Sequence, residues 1–214
     1  MVWMALAEQV WYTRGKNIYA EKREEKGRVR VINREQAWQM VQKHVKNKNL
    51  IKHMLAVEVI MRALAARFGE NVERWGVAGL LHDVDYDQTA NDPKNHSLLG
   101  AAMLEEAGLA PDLVYAIKVH NEAHELPRIS LLDKALYAAD PLSGLIVATA
   151  LIHPDRKLAV IDVPFIMHRF KEKSFARGVN REQLQTCSEF NMTLEQFLAL
   201  GLGAMQSVST ELGL

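Results

Sequence analysis

Six side chains of the types that bind metal ions are spread over five separate segments of the chain. They are His53, the adjacent pair His82 and Asp83, His96, His120 and Asp140. Imidazoles and carboxylates are costly to bury without a partner, whereas one divalent cation can serve several of them and can activate water. A single buried histidine usually has only a local hydrogen bond, but six such groups together predict a buried metal site.

These residues lie on or beside apolar rows with helical spacing. His53 lies between Leu50 and Val57, in a row with three- and four-residue steps. Further apolar rows of the same spacing lead to these candidates: His82, His120 and Asp140. Because these steps are those of amphipathic helices, the sequence predicts an all-α fold in which each helix directs one polar group toward the core.

The order of these residues resembles the HD superfamily of metal-dependent phosphohydrolases. The motif H…HD…D of that superfamily matches the following positions: His53, His82, Asp83 and Asp140. The two further histidines, His96 and His120, match its two-metal branch. The resemblance implies an HD-domain helical bundle in which Asp83 bridges two metal ions. It also implies a ligand set for each ion, with His53, His82 and Asp140 on one, and His96 and His120 on the other.

Three functions stay open within this resemblance. The first is a phosphohydrolase that acts on a small phosphoester or nucleotide through metal-activated water, with Asp83 and His82 as its catalytic residues. The second is a mixed-valent di-iron oxygenase, although the lysine that myo-inositol oxygenase has three residues after its His-Asp pair is replaced here by Tyr86. The third is a sensor that binds metal or nucleotide without turnover. Cyclic dinucleotide cleavage is disfavoured, because Asn121 stands where HD-GYP proteins have a second histidine.

The mixed imidazole and carboxylate set predicts the kind of metal. It suits divalent transition ions, namely Mn, Fe, Co, Ni or Zn, better than Ca. Six ligands are more than one hydrolytic metal with open positions needs, so we expect two ions per chain.

A second metal motif is excluded by its spacing. His120 and His124 stand four residues apart, as in a zinc peptidase helix, but the intervening Glu122 is at the wrong position. On a helix it would lie about 200° around the axis from His120 and would point away from a metal there. His124 is therefore not a candidate ligand: it would support a ligand from behind, lie at the mouth of the pocket, or be a structural histidine.

Substrate contacts are expected at two places. Tyr86, with its neighbours Asp85 and Asp87, adjoins the His-Asp pair and is predicted to line the cleft. A locally basic segment could contact phosphate, although charged runs more often cover a solvated helix face. Its candidate residues are Arg169, Lys171, Lys173 and Arg177.

The length of 214 residues suits a single domain. The charged, weakly patterned stretch before Asn33 predicts a poorly ordered N-terminal extension over residues 1–32, of which residues 1–28 are expected to be dispensable for folding. Residues 33–214 would form one HD domain, with a metal-site core over 33–144 and a C-terminal helical part over 145–214. Asn33 with Gln36, repeated as Asn180 with Gln183, predicts two capping boxes, and Thr193 with Gln196 a third. Ser130 is expected to cap the helix that carries Asp140, and Pro141 to bend or restart the chain.

Charge and cysteine content bound the partners. The 26 basic and 26 acidic residues give no global field, so we expect a small phosphorylated substrate and no nucleic acid polymer or membrane. The apolar start, Met1 to Ala7, is too short to span a bilayer. Cys187 is the only cysteine and is expected to be buried, which fits a reducing, cytoplasmic location. The oligomeric state stays open.

Overall fold

The computed structural model describes residues 32–214, and this part of the chain contains helices and no β-strand. The prediction of an all-α fold is confirmed. In chain order the helices are α1 (Arg34–His44), α2 (Lys48–Phe68), α3 (Val72–Leu81), α4 (Tyr86–Thr89), α5 (Leu98–Glu106), α6 (Pro111–Val119), α7 (Leu131–Ile152), α8 (Val163–Lys171), α9 (Arg181–Gln185), α10 (Leu194–Gln206) and α11 (Ser209–Leu212). Short 3-10 helices occupy Glu122–His124, Leu158–Val160 and Thr186–Phe190. The predicted extension over residues 1–32 lies, apart from Ile32, outside the described residues.

Side-chain caps fix the beginnings of several helices. Reciprocal capping boxes begin α1, α7 and α10, between these pairs: Asn33 with Gln36, Ser130 with Asp133, and Thr193 with Gln196. Each box satisfies two backbone N–H groups that have no partner inside the helix.

Cys187 is buried, as its sequence context predicted.

Two expectations about α7 and α9 are wrong for one shared reason. Pro141 does not bend or restart the chain, because α7 runs through it from Leu131 to Ile152. A proline has no N–H to donate, so the carbonyl of Tyr137, four residues earlier, loses its helical partner. The Gln183 side chain donates to that carbonyl at 2.7 Å. Because the Gln183 side chain extends to Tyr137, it does not accept from the backbone N–H of Asn180. The predicted capping box therefore does not form, and the Asn180 side chain alone caps α9.

The two long helices α2 and α7 form the centre of the core, and α3 packs closely on α2. Two glycines of α3 make this close approach possible. A Cβ atom on Gly79 would lie 2.8 Å from the carbonyl oxygen of Val57, and one on Gly76 would meet the Arg62 side chain. The backbones of α2 and α3 can therefore come close enough for their side chains to share one site.

A buried ion-pair network ties α1, α2 and α3 together. Glu58 of α2 is 2% exposed and accepts hydrogen bonds from Arg34 of α1 at 2.7 Å and from Arg62 at 2.9 Å. Arg62 also donates to Glu73 of α3 at 2.6 Å. The charge of this buried carboxylate is thus balanced by guanidinium groups of the chain itself.

Helix α7 is long and apolar enough, by length and composition, to cross a membrane. In this structure most of its apolar stretch is buried against other helices. Its hydropathy is explained by its place in the centre of the core.

Candidate metal centre

The structure brings the six predicted side chains into one cluster. His53 comes from α2, Asp140 from the middle of α7, and His96 from the loop before α5. The other three stand at helix ends: His82, Asp83 and His120. Within each of three overlapping groups, the potential ligand atoms lie within 4.8 Å of one another. Helices that are distant along the chain therefore each contribute one or two groups to the same point.

Asp83 divides the cluster into two subsites. Its Oδ2 atom lies 3.5 Å from Nε2 of His53 and 3.5 Å from Nε2 of His82. Its Oδ1 atom lies 3.4 Å from Nε2 of both His96 and His120. Asp140 belongs to the first side, with Oδ1 3.2 Å from Nε2 of His53. We call the His53, His82 and Asp140 side subsite one, and the His96 and His120 side subsite two.

Two of the histidines are oriented by the helices that they follow. His82 comes directly after α3, and its Nδ1 donates to the carbonyl of Gly79 at 2.8 Å. His120 comes directly after α6, and its Nδ1 donates to the carbonyl of Ile117. Both carbonyls belong to a last helical turn, where they lack a backbone partner. The negative ends of the α3 and α6 dipoles therefore also face the cluster, and this favours a cation there.

The other two histidines are held through their Nδ1 atoms as well. His53 Nδ1 lies 2.8 Å from Oγ of Ser143, which itself donates to the backbone carbonyl of Asp140. His96 Nδ1 lies 3.2 Å from Oδ1 of Asp85. These acceptors favour the Nδ1–H tautomer of each neutral imidazole, in which the Nε2 lone pair points into the cluster. This is the arrangement by which proteins orient histidines on metals.

The cluster contains acceptors that need positive charge. The Nε2 atoms of His53 and His82 are 3.0 Å apart, and neither has a proton to share while both rings are neutral. Burial opposes the charged form of His53, but Asp140 and Asp83 outweigh it and raise the pKa of His53 to about 10. Burial likewise opposes the charged carboxylates, yet His82, His120 and His53 lower the pKa of Asp83, and His53 and His82 lower that of Asp140.

The donor set fits divalent transition metal ions. Four imidazole nitrogens and two carboxylates converge, and a cation between them would satisfy the lone pairs that otherwise repel each other. The residues that would hold metal are those of the two subsites. The cluster is most accessible at subsite one, where the Asp140 side chain is 29% exposed and His53 24%, whereas His82 and His120 are nearly inaccessible.

Two of the predicted substrate residues lie beside the cluster. The Tyr86 ring stands edge-on to His96, with ring centroids 5.0 Å apart, and is partly exposed. His124 Nε2 lies 2.7 Å from the backbone carbonyl of His96 and 3.0 Å from Oγ of Ser97, so this ring supports the loop that carries the ligand. Glu122 follows a break in the helix and contacts Tyr137 and Asn180, away from the metal ligands.

The basic segment has no direct link to the cluster within residues 32–214. Arg169 donates to both carboxylate oxygens of Glu172, at 2.8 and 3.1 Å, and lies over the Phe165 ring. The other three candidates are exposed at the end of α8 and in the turns after it: Lys171, Lys173 and Arg177. No hydrogen bond or ion pair of the described chain joins any of the four to the six potential metal ligands.

Sequence reasoning missed two residues that orient ligands. Ser143 lies one helical turn after Asp140, on the face of α7 that meets His53. Asp85 was expected to line the cleft, but it is fully buried behind His96. Asp87 lies elsewhere, where it accepts from the backbone N–H groups of Lys46 and Asn47 before α2. The short spacing Asp83-x-Asp85 was the signal for Asp85, but the sequence does not say which residue it contacts.

A small cavity of about 120 Å³ borders His53. Ser143 and Val147 of α7 form one wall, and Asn49 and Lys52 of α2 bring polar groups to it. It is large enough for a group of phosphate size next to the accessible subsite.

Comparison with known families agrees with this geometry. Residues 50–145 match the family described as HD domain, and all six potential ligands fall in that range. This segment is an HD domain. HD domains constitute the superfamily of metal-dependent phosphohydrolases, so the resemblance seen in the sequence is confirmed.

The HD domain is also similar to part of several ribonucleases. It is 35% identical over 98 residues to Ribonuclease Y of Geobacter sulfurreducens, and 32% identical over 100 residues to Ribonuclease Y of Nitratidesulfovibrio vulgaris. Ribonuclease Y of Pelobacter propionicus is 36% identical over 97 residues. These matches cover 45–46% of this chain but only 18% of each relative. No solved structure gives a significant match to the chain.

Proposed function

We propose that this chain is a two-metal phosphohydrolase that cleaves a phosphoester with activated water. The observation that carries the proposal is the position of Asp83, whose Oδ2 faces His53 and His82 and whose Oδ1 faces His96 and His120. A single mononuclear site would not need six inward-facing groups. Divalent ions at these subsites would lower the pKa of water to about 7 and neutralise charge on phosphoryl oxygens.

The chain's own residues would divide the work around that chemistry. Asp83 would keep the two subsites at a fixed separation. His82, whose Nδ1 donates to the carbonyl of Gly79, would keep its Nε2 directed at subsite one. Substrate would enter beside Asp140 and His53, which are the most exposed members of the cluster. Tyr86 borders the cluster on the subsite-two side.

Lys52 is a candidate for the contact with a non-reacting part of the substrate. It lies on α2 next to His53 and lines the small cavity beside subsite one. A flexible ammonium group at that place suits a phosphate or another anion. Lys52→Ala should therefore raise KM more than it lowers kcat, because it leaves all six potential ligands in place.

A small phosphoester or nucleotide is the first candidate substrate. The balance of acidic and basic residues supports it, because the chain offers no general attraction for a polyanion. RNA is the second candidate, and the similarity of the HD domain to part of Ribonuclease Y supports it. The two differ in the bond that is cleaved, since an internal phosphodiester must be cut in RNA.

The test is an anaerobic hydrolysis screen of the full chain loaded with Mn²⁺ or Fe²⁺. The panel contains p-nitrophenyl phosphate, bis-p-nitrophenyl phosphate, common nucleotides and a short single-stranded RNA. We expect product from at least one compound, lost in Asp83→Asn and retained in Asp87→Asn, which makes the same change four residues further along the chain. Product from the RNA alone would establish the second candidate.

Two results would overturn the proposal. If the loaded protein releases no product but consumes oxygen with an organic substrate once its iron is partly reduced, it is a di-iron oxygenase. If metal or nucleotide binds and neither hydrolysis nor oxygen consumption follows, the chain is a sensor.

A further inference from the structure

Asp85 is a buried carboxylate next to the metal centre that is not among the six potential ligands. It is 0% exposed, and each of its oxygens has a different task. Its Oδ1 lies 3.2 Å from Nδ1 of His96. Its Oδ2 accepts from the backbone N–H of Ser97, the N-cap of α5, at 2.8 Å and from that of Gly100, the third residue of α5, at 2.9 Å. One side chain thus caps a helix and holds a potential metal ligand.

We propose that Asp85 is a positioning residue that sets the affinity of subsite two for its metal ion. It does so by fixing the proton of His96 on Nδ1 and the lone pair on Nε2, which faces Asp83. The inference rests on the metal centre proposed above, but not on the identity of the substrate.

The chemistry of the contacts requires a carboxylate at this position. Every group that faces the two Asp85 oxygens is a donor, so both oxygens must accept. An asparagine has the same shape but only one accepting end. If its NH₂ faced His96, the ring would have to accept on Nδ1 and carry its proton on Nε2, where it could not bind metal. If the NH₂ faced α5, two backbone donors would lose their acceptor.

The four histidines differ in the charge of their orienting partner. His53 is held by a serine, and His82 and His120 are held by backbone carbonyls. Only His96 is held by a carboxylate, which makes its Nε2 a stronger ligand than a neutral partner would. Among residues 32–214, subsite two has no carboxylate of its own to match Asp140 in subsite one. The charge of Asp85, which lies behind the His96 ring, compensates for that.

The local backbone is built around this carboxylate. Ser97 has a left-handed conformation with φ of 67°, which is uncommon for a residue other than glycine. Two hydrogen bonds hold this conformation: the N–H of Ser97 donates to Asp85, and its hydroxyl donates to the carbonyl of Lys118. At Gly100, a Cβ atom would lie 3.2 Å from Cγ of Asp85. The sequence around α5 therefore leaves room for the carboxylate and directs two N–H groups at it.

The test is a titration of metal-free full-length protein with Co²⁺, followed by visible absorption and calorimetry. We expect two binding events in the wild type. In Asp85→Asn the second event should weaken by about 10–100-fold while the first stays within about threefold of the wild-type value. The matched control is Asp87→Asn, whose side chain contacts no metal ligand, and it should keep both affinities. Long-range ¹H–¹⁵N NMR of the His96 ring should show its proton on Nδ1 in the wild type and on Nε2 in Asp85→Asn.

The inference is overturned if Asp85→Asn binds both ions as tightly as the wild type, if both events weaken equally, or if the wild type binds fewer than two ions. If Asp85→Asn does not fold, Gly100→Ala takes its place, because it displaces the carboxylate but keeps its charge. It should weaken the second event alone and by a smaller factor, and an unchanged or equal effect on both events would again contradict the inference. A wild type that binds two ions in this way and hydrolyses nothing would refute the proposed function and leave the role of Asp85 intact.

Discussion

Helix α2 carries two buried polar clusters with opposite needs. At Glu58, guanidinium groups from Arg34 and Arg62 supply positive charge from within the chain, and the carboxylate is satisfied. One and a half turns earlier, at His53, two carboxylates and two imidazoles converge, and no Lys or Arg of the described residues pairs with them. The comparison separates a structural cluster, which is balanced by guanidinium groups, from a candidate binding cluster, in which we expect a metal ion to supply the balancing charge.

The largest effect is expected from removing the shared ligand. Asp83→Asn takes away the carboxylate whose Oδ2 faces His53 and His82 and whose Oδ1 faces His96 and His120, so both subsites should lose metal. We expect affinity to fall by more than about 100-fold, because the loss of an outer partner alone costs 10–100-fold. Elemental analysis of the variant purified without chelator should find almost no transition metal, while Asp87→Asn keeps the full content. Equal metal in both variants would contradict the assignment of Asp83.

The Glu58 cluster should respond in stability and not in metal binding. Glu58→Gln leaves two guanidinium groups without their buried anion, at a cost of about 3 kcal/mol, the lower end for buried pairs because Arg34 is half exposed. The loss in the free energy of unfolding should be the same with metal and with chelator. As a control, Glu73→Gln removes an exposed partner of Arg62 and should cost less than about 1 kcal/mol. A Glu58→Gln effect that appears only in the presence of metal would break the distinction between the clusters.

The close contact of α2 and α3 should affect both properties. In Gly79→Ala the new Cβ would meet the backbone of Val57 and Glu58, at a cost of about 1–3 kcal/mol for overpacking. It should also weaken metal binding, because the carbonyl of Gly79 orients His82. The comparison is Gly203→Ala on α10, where a Cβ has nothing within 4 Å. That variant should be neutral or more stable by about 0.5–1 kcal/mol. Thermal unfolding and metal titration of the two variants would check this.

The stability of the metal-free protein should depend on pH, and bound metal should reverse that dependence. His53 has a pKa of about 10 in the folded metal-free protein and 6.5 ordinarily, so its contribution is fully present below pH 6.5 and is lost as pH rises through about 10. Asp83 and Asp140 have lowered pKa values, so their contribution is present above about pH 4 and is lost as pH falls. Metal-free protein should therefore be most stable between about pH 4 and 6.5. Metal-loaded protein should become more stable above pH 6.5, because the ligands bind only when deprotonated. Melting temperatures that fall with rising pH in both forms would contradict this.

The sequence predicts that these six side chains lie together, because each potential ligand ends or interrupts an apolar row. A helix that buries its row must also bury the ligand, as His82 and His120 illustrate at the ends of α3 and α6. The all-α fold and the boxes at Asn33 and Thr193 follow from similarly local rules. These are features that a residue and its near neighbours determine.

What the sequence does not reveal are partners that meet across long distances in the chain. Pro141 looks like a helix breaker until Gln183, 42 residues later, supplies a donor to the free carbonyl of Tyr137. Gln183 looks like part of a capping box because the sequence does not show that its side chain bonds to Tyr137 of α7. Asp85 resembles a cleft residue because it adjoins Asp83, and only the packing of α5 against it shows that it is buried.

The most direct test of the two-metal centre is a calorimetric titration of the metal-free wild type with Mn²⁺ or Zn²⁺ in two buffers of different protonation enthalpy. We expect two ions per chain and release of protons on binding, since His53 must lose the proton that its raised pKa retains. We also expect His82→Ala to abolish binding at subsite one and Glu58→Gln to keep both ions. Binding of no ion by the folded wild type, or unchanged binding in His82→Ala, would contradict the two-metal centre.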